Sequence, residues 1–334
     1  MSWLERSWYA PHRSPLTLLL LPLAGVYCLL SLVRRLTYRC RLARTHRLSV
    51  PVIVVGNITV GGTGKTPLVI WLARYLRELG YHPGIVSRGY GGRSPSWPVA
   101  VDADSDPAMV GDEPVLLARH SECPVCVGPD RVRAARQLLR EQPCDVLLSD
   151  DGLQHLRMER DIEIAVVDGE RRLGNGLCLP AGPLREPARR LRRVDLVVVN
   201  GGRPEPGEFV MTLRDQALVR LSDGSTRPAD SVRGETVHAV AGIGSPQRFF
   251  SQLERLGAHV IRHAFPDHHP FVATDLDFAS DGRSLIMTEK DAVKCRSFAD
   301  ERCWYLAVAA EPEMAFAARL QALLREKTSG SKAA

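Results

Sequence analysis

The sequence has no internal repeat and no low-complexity run, so it is neither a solenoid nor a disordered polar chain. It has no second cysteine pair at zinc spacing. Cys123-Pro-Val-Cys126 is its one C-x-x-C. Alone it reads as two small hydrophobes in a buried strand, with a redox or zinc half-site as the alternative. The eight scattered cysteines, together with the nucleotide-type loop described below, fit a reducing compartment. Beyond residue 50 there is also no positive excess. Of the net +6, residues 1–50 carry +7, from Arg6, Arg13, Arg34, Arg35, Arg39, Arg41, Arg44 and Arg47 against Glu5, and the rest of the chain is at −1. The high pI is therefore poor evidence for nucleic-acid binding. What is present is a globular composition, 45% hydrophobic and 25% charged, over 334 residues, a length for about two domains.

Residues 14–33, "SPLTLLLLPLAGVYCLLSLV", carry no charge. That is near the length that spans a bilayer. No small-x-small cleavage site follows, which weighs against a signal peptide. Pro22 and Gly25 are expected to break the middle, and Arg34-Arg35 open a basic flank. Partial insertion into one leaflet, with the arginines at the headgroups, is the favoured reading, and a full span the alternative. In both, the body lies on the cytoplasmic side.

The body alternates apolar β-branched runs with helical patterns: "PVIVVGN", "TPLVIWLARYLREL", "PGIVSRGYGG", "DRVRAARQLLRE", "CDVLLSDDG", "DIEIAVVDG" and "VDLVVVNGG". This predicts an α/β fold, a P-loop-type parallel sheet with helices on both faces. The expected organisation is a membrane-associated segment over 1–48 and a nucleotide core over 49–205. A two-stranded linker over 206–232 ("FVMTL" and "ALVRLSDG") and a smaller α/β lobe over 233–328 follow. A ligand is expected in the cleft between lobes.

"NITVGGTGKTP" has the layout of a phosphate-binding loop between strand and helix, but Thr59 stands where the first glycine of G-x-x-x-x-G-K-[ST] belongs. The chemistry needs inward-pointing backbone N–H groups at a helix start. Thr59, Val60, Gly61, Gly62, Thr63 and Gly64 supply that loop, Lys65 a charge for the β- and γ-phosphates, and Thr66 a hydroxyl for Mg²⁺. "LLSDDG" is an apolar strand ending in Asp150 and Asp151, one or both of which can hold Mg²⁺. "GDEP" puts Asp112 at a helix start, for catalysis or for capping. "SRGYGG" places Arg88 where it can reach an anion. "FPDHHPF" puts Asp267, His268 and His269 in a loop of the second lobe, suited to acid–base work. "TEKDAVK" superficially resembles the guanine-reading N/T-K-x-D but does not match, so GTP is not inferred. The residues thus describe a Mg²⁺-nucleotide phosphotransferase or NTPase whose acceptor they do not name.

Together "VGNITVGGTGKTP", "SRGYGG", "GDEP", "DDGLQH", "GNGLCLPAGPLREP", "AGIGSPQRFF", "DHH" and "MTEKDAVKC" resemble, in order and spacing over nearly the whole chain, the tetraacyldisaccharide 4′-kinases of lipid A biosynthesis. A serine or threonine at the position of Thr59 is usual there. The resemblance implies transfer of the γ-phosphate of ATP to the 4′-hydroxyl of a tetraacylated glucosamine disaccharide 1-phosphate. It also implies location at the cytoplasmic face of the inner membrane. It maps a base onto Asp112, a partner histidine onto His268, and further active-site positions onto Arg88 and Glu186. A switch NTPase and a non-turning-over membrane binder are the rival readings; a requirement of ATP turnover for an acylated sugar separates them.

Overall fold

A computed structural model describes residues 3–10, 14–279 and 281–331; Arg13 lies outside them. The chain opens with α1 (Trp3–Trp8) and α2 (Pro15–Arg39). Ser14 caps α2, its hydroxyl accepting from Thr17 N at 3.2 Å, with Pro15 in the first turn. The expected break at Pro22 and Gly25 does not occur: α2 runs through both. Each lies on the exposed side, and a Cβ added at Gly25 would meet open space. The stripe Thr17, Ala24, Tyr27, Cys28 and Arg35 packs inward instead. Docking of that stripe offsets the roughly 3 kcal/mol that an interior proline costs a helix.

The first half of the body contains β1 (Val52–Gly56), α3 (Lys65–Glu78), β2 (Pro83–Ser87), β3 (Val99–Val101), α4 (Pro107–Val110), α5 (Asp112–Ser121), β4 (Val125–Val127), α6 (Arg131–Glu141), β5 (Val146–Ser149), β6 (Ile162–Asp168) and β7 (Leu196–Asn200). The strands lie in the order β7-β6-β1-β5-β2-β4-β3, parallel except for the antiparallel edge β3. β1, β2, β4, β5 and β7 are buried at every position, as continuous apolar runs covered on both faces must be. Leu68, Leu72, Val115 and Leu117 of α3 and α5 cover one face; Val132 and Leu138 of α6, with Tyr27 and Cys28 of α2, cover the other. Cys126 is buried in β4, where burial pushes its thiol up to about 11.

The second half contains β8 (Phe209–Arg220), β9 (Thr226–Pro228), β10 (Thr236–Ala241), α7 (Pro246–Arg255), β11 (His259–Ala264), β12 (Leu285–Thr288), α8 (Glu289–Cys295), β13 (Cys303–Pro312) and α9 (Met314–Ser331). β11-β10-β12-β13 are parallel neighbours. The two runs "FVMTL" and "ALVRLSDG", expected as separate strands, belong to one: β8 crosses from one half to the other. Its start pairs parallel with β7, and the length of it pairs antiparallel with β13, so among the described residues thirteen strands form one sheet. The polar residues that interrupt the apolar pattern, Thr212, Arg214 and Gln216, alternate on a solvated face. A half-exposed strand alternates where a buried one would be apolar throughout.

Candidate active site

The loop from β1 to α3 wraps the helix start. Gly61 and Gly64 have φ of 94° and 92°, a region that favours glycine. A Cβ at Gly64 would sit 2.5 Å from Asn200 Nδ2, which donates to Thr63 O at 3.1 Å, while Gly62 has open space above it. Thr59 needs no glycine. It is buried, bridges Leu184 in extended pairing, and is followed by Val60 N donating to Pro183 O at 2.9 Å. The departure from the phosphate-loop pattern is thus a strand-like position pinned by the "GPLREP" segment.

Asp150 and Asp151 follow β5 beneath this loop. Lys65 Nζ lies 3.5 Å from Asp151 Oδ1, and Arg185 Nη1 donates to Asp151 Oδ2 at 3.0 Å. Burial works against ionising Asp151, but Lys65 and Arg185 outweigh it and hold the carboxyl at about 2. Asp150 is driven the other way. Burial, then Glu113 and Asp151, push it up to about 7. Its Oδ2 accepts from Ser87 Oγ at 3.2 Å, and its buried Oδ1 has no hydrogen-bond partner. Among the described residues there is no cluster of three His, Cys, Asp or Glu side chains with metal-ligand spacing.

From the other side comes the acid–histidine pair. Asp112 is the first residue of α5, its Oδ1 accepting from Glu113 N at 2.9 Å. His268 Nδ1 lies 3.2 Å from Asp112 Oδ2. His268 has φ of 59°, and the Tyr90 ring packs edge-on against it, the two ring centroids 5.0 Å apart. The bond to Asp112 raises the imidazole above its ordinary value against the effect of burial. Burial opposes ionisation of Asp112 too, but His268, Lys290 and Lys294 together hold it below the usual carboxylate range. His269 turns away, paired with Asp275 at 2.8 Å among Phe265 and Phe271.

One cavity of about 1500 Å³ joins these groups; the phosphate loop, Arg88, Glu113, Asp151 and His268 line it. Asp112, 5% exposed, stands directly behind Glu113 and His268. Glu186 is not among the lining residues. It is buried, 3.0 Å from Arg35 of α2, and accepts from Gln154 Nε2 at 2.9 Å. Sequence reasoning did not single out Arg185, Gln154, Asn200 or Lys290. Arg185 sits inside a quoted motif, beside the Glu186 that was chosen. Lys290 was set aside with the mismatched guanine-type motif.

A phosphate loop at the end of a parallel strand, an acid pair after the neighbouring strand and an acid–histidine pair on one cavity define a P-loop phosphotransferase. The family described as tetraacyldisaccharide-1-P 4′-kinase matches residues 16–325. The chain is 58% identical to the tetraacyldisaccharide 4′-kinase of Alkalilimnicola ehrlichii over 91% of each chain. It is 53% identical to that of Nitrosococcus oceani over 97% of this chain and 95% of the relative. Its fold is similar to the crystal structure of the Aquifex aeolicus kinase in complex with ATP: TM-score 0.75, 28% identity, covering 92% of this chain and 99% of that one. The chain belongs to the tetraacyldisaccharide-1-P 4′-kinase family, and its activity is that of a lipid A biosynthesis kinase.

Proposed function

We propose that this chain transfers the γ-phosphate of ATP to the disaccharide 4′-hydroxyl through the residues just described, acting at the cytoplasmic face of the inner membrane. The observation that carries this reading is the convergence of the phosphate loop and His268 on one cavity, with Asp112 bonded to His268 directly behind it. Residues 59–66 cradle the phosphates with backbone N–H groups, and Lys65 neutralises charge on them. A sugar hydroxyl is a poor nucleophile at neutral pH, so a base must accept its proton. Asp112 is that base in this reading, held ionised and oriented by His268. Arg88, exposed at the cavity rim, meets an anionic group of nucleotide or lipid. Glu186 acts through others, fixing Gln154 and tying α2 to the site.

The donors at the phosphate loop fit Mg²⁺. Thr66, Asp151 and Asp150, whose Oδ1 is an orphaned buried acceptor, are all hard oxygen ligands. Mg²⁺ takes one or two carboxylates plus phosphate oxygens and water, so no three-carboxylate cluster is needed. When bound it neutralises charge on the transferring phosphoryl group.

By length and composition α2 can cross a membrane. Its stripe from Thr17 to Arg35 is docked on the body, Tyr27 Oη donating to Arg185 O at 2.9 Å. In this reading the helix, held to the body by that stripe, lies in the interface, and a full span is the alternative. Its outer face, with Leu18, Leu19, Val26 and Leu30 each more than half exposed, enters one leaflet. Residues 49–205 serve as nucleotide core and 233–328 as the smaller lobe, joined through 206–232. The test is incubation with labelled ATP and a Gram-negative lipid extract. A labelled bis-phosphorylated acyl disaccharide is expected. ATP hydrolysis indifferent to the extract would overturn the reading.

A further inference from the structure

The segment Thr288–Lys294 has no role in the phosphate loop, yet it converges on the Asp112–His268 pair. Thr288 caps α8, its hydroxyl accepting from Asp291 N at 3.2 Å. Asp291, fully buried, accepts from Gly242 N at 2.8 Å and from Thr288 Oγ1 at 2.6 Å. Gly242 O accepts from His268 N at 3.2 Å. The first turn of α8 thus holds the loop that keeps His268 in its left-handed conformation, one that persists only where the surroundings fix it.

Lys290 leaves this turn toward the imidazole. Its Nζ lies 3.1 Å from Glu113 Oε1, 3.7 Å from Asp267 Oδ1 and 3.3 Å from His268 Nε2. Burial disfavours the ammonium, but Glu113, Asp112 and Asp267 outweigh it and keep Lys290 charged well above the usual lysine range. An ammonium has three donors and no acceptor. At hydrogen-bond distance His268 Nε2 therefore faces a group that can only donate, Asp267 Oδ1 lying beyond that range at 3.9 Å, so in the neutral ring it is the bare nitrogen. The ring's one N–H is then on Nδ1, against Asp112. The other tautomer would set an N–H against an ammonium and a lone pair against a carboxylate.

Building on the reading of Asp112 and His268 as a working pair, we infer that Lys290 is a positioning residue for phosphoryl transfer, fixing the Nδ1–H tautomer of His268 and thereby the orientation of the Asp112 carboxylate. The charged or titratable groups around the ring are Asp112 and Glu113 from α5, Lys290 and Lys294 from α8, Asp267 in its own loop and Tyr90 from the loop after β2. Of these, Asp112 and then Asp267 favour the imidazolium, and Lys290 disfavours it. Loss of Lys290 should therefore let the ring protonate at higher pH, tie Asp112 up in an ion pair and weaken it as a base.

The experiment uses full-length enzyme labelled with ¹⁵N-histidine. Long-range ¹H–¹⁵N spectra assign the His268 tautomer at alkaline pH, with the signal identified by its loss in His268→Gln. Wild type should show Nδ1–H. Lys290→Met should show mixed tautomers, and its acid limb of kcat should move to higher pH. Its kcat should fall about tenfold or more, as loss of a hydrogen bond to a charged group predicts, with the KM for ATP within about twofold. Lys290→Arg keeps a cationic donor and should retain the wild-type tautomer. An Nε2–H signature in wild type overturns the inference whether or not any variant folds. So does a Lys290→Met enzyme with wild-type tautomer and kcat. Neither result touches the Asp112–His268 reading, which falls instead if His268→Ala keeps the wild-type kcat.

Discussion

The two halves of the sheet bring chemistry to the shared cavity by different routes. In the mechanism proposed above, the first half uses a continuous stretch, Thr59 to Thr66, whose backbone would bind phosphate and whose glycines make the turn possible. The second half sends single side chains, His268 and Lys290, from a loop and a helix start, and each finds its partner on α5 of the first half. Asp112 and His268 are 156 residues apart in sequence. On that proposal, phosphate gripping is local in the chain, whereas proton handling needs the two halves to meet. Further contacts across the junction hold that meeting: Arg248 Nη1 to Asp168 Oδ2 at 2.6 Å, Arg171 Nη2 to Ser245 Oγ at 2.6 Å and His120 Nε2 to Glu289 Oε1 at 2.6 Å.

The local route is broken most severely by one residue. Lys65→Ala should lower kcat/KM by about 10³-fold, near the upper range for removing a group aimed at developing charge. The fold should survive, since Asp151 keeps Arg185 as a partner. Steady-state kinetics with a thermal melt check both. Wild-type turnover would remove the phosphate loop from the mechanism.

The assembled route breaks differently. Asp112→Ala and His268→Ala should each lower kcat by about 10²-fold, the scale of general-base catalysis, and hardly move the KM for ATP. On the proposal that the two act as a unit, the double variant should be little worse than either single one. A double-mutant loss equal to the product of the single losses would make His268 a binding or structural residue.

This difference in route also decides what was readable in the sequence. The parallel sheet was legible because β1, β2, β5 and β7 are continuous apolar runs up to a polar last residue in β2, β5 and β7 (Ser87, Ser149 and Asn200), a pattern that two-sided burial explains. The phosphate loop was legible because its spacing is local. β8 was misread as two strands because its middle is solvated, and the helix through Pro22 and Gly25 because its docked stripe decides the outcome. Lys290 was missed for a third reason: its meaning lies in Glu113 and His268, 177 and 22 residues away.

The N-terminal helix offers a milder break, because its exposed leucines do not line the cavity. Leu19→Ser with Leu30→Ser removes two exposed side chains and leaves the docked stripe intact. Burying a leucine in an apolar phase is worth about 1.5–3 kcal/mol. Binding to anionic vesicles should therefore weaken by about tenfold or more per leucine, with Tm unchanged. Deleting residues 1–33 should weaken flotation further without abolishing it, since Arg34 to Arg47 remain, each worth about 1 kcal/mol near an anionic surface. High salt should then release the truncated protein. Retention in high salt would contradict the electrostatic part.

The smallest effect concerns stability and tests whether the two halves are joined by a charged contact or a neutral one. His268 gains Asp112 as a partner on folding, and this raises its pKa above that of the unfolded chain. A group with a raised folded pKa contributes stability that is fully present below its unfolded value, about 6.5, and is lost as pH rises through the folded value. Asp112 is shifted down, so its share is present above about 3.9 and fades only as pH falls through the lower folded value. Between about pH 5 and pH 6 both contributions are in place. The Tm difference between wild type and His268→Gln should therefore be greatest near pH 5.5 and shrink as pH rises and the ring loses its charge. The ring is part-exposed and Lys290 stands beside it, so the change should amount to no more than a few degrees, read by melts at matched ionic strength. A gap that widens with pH would mean that the neutral ring is what holds the halves together, and that the charged contact between His268 and Asp112 adds nothing to their closure.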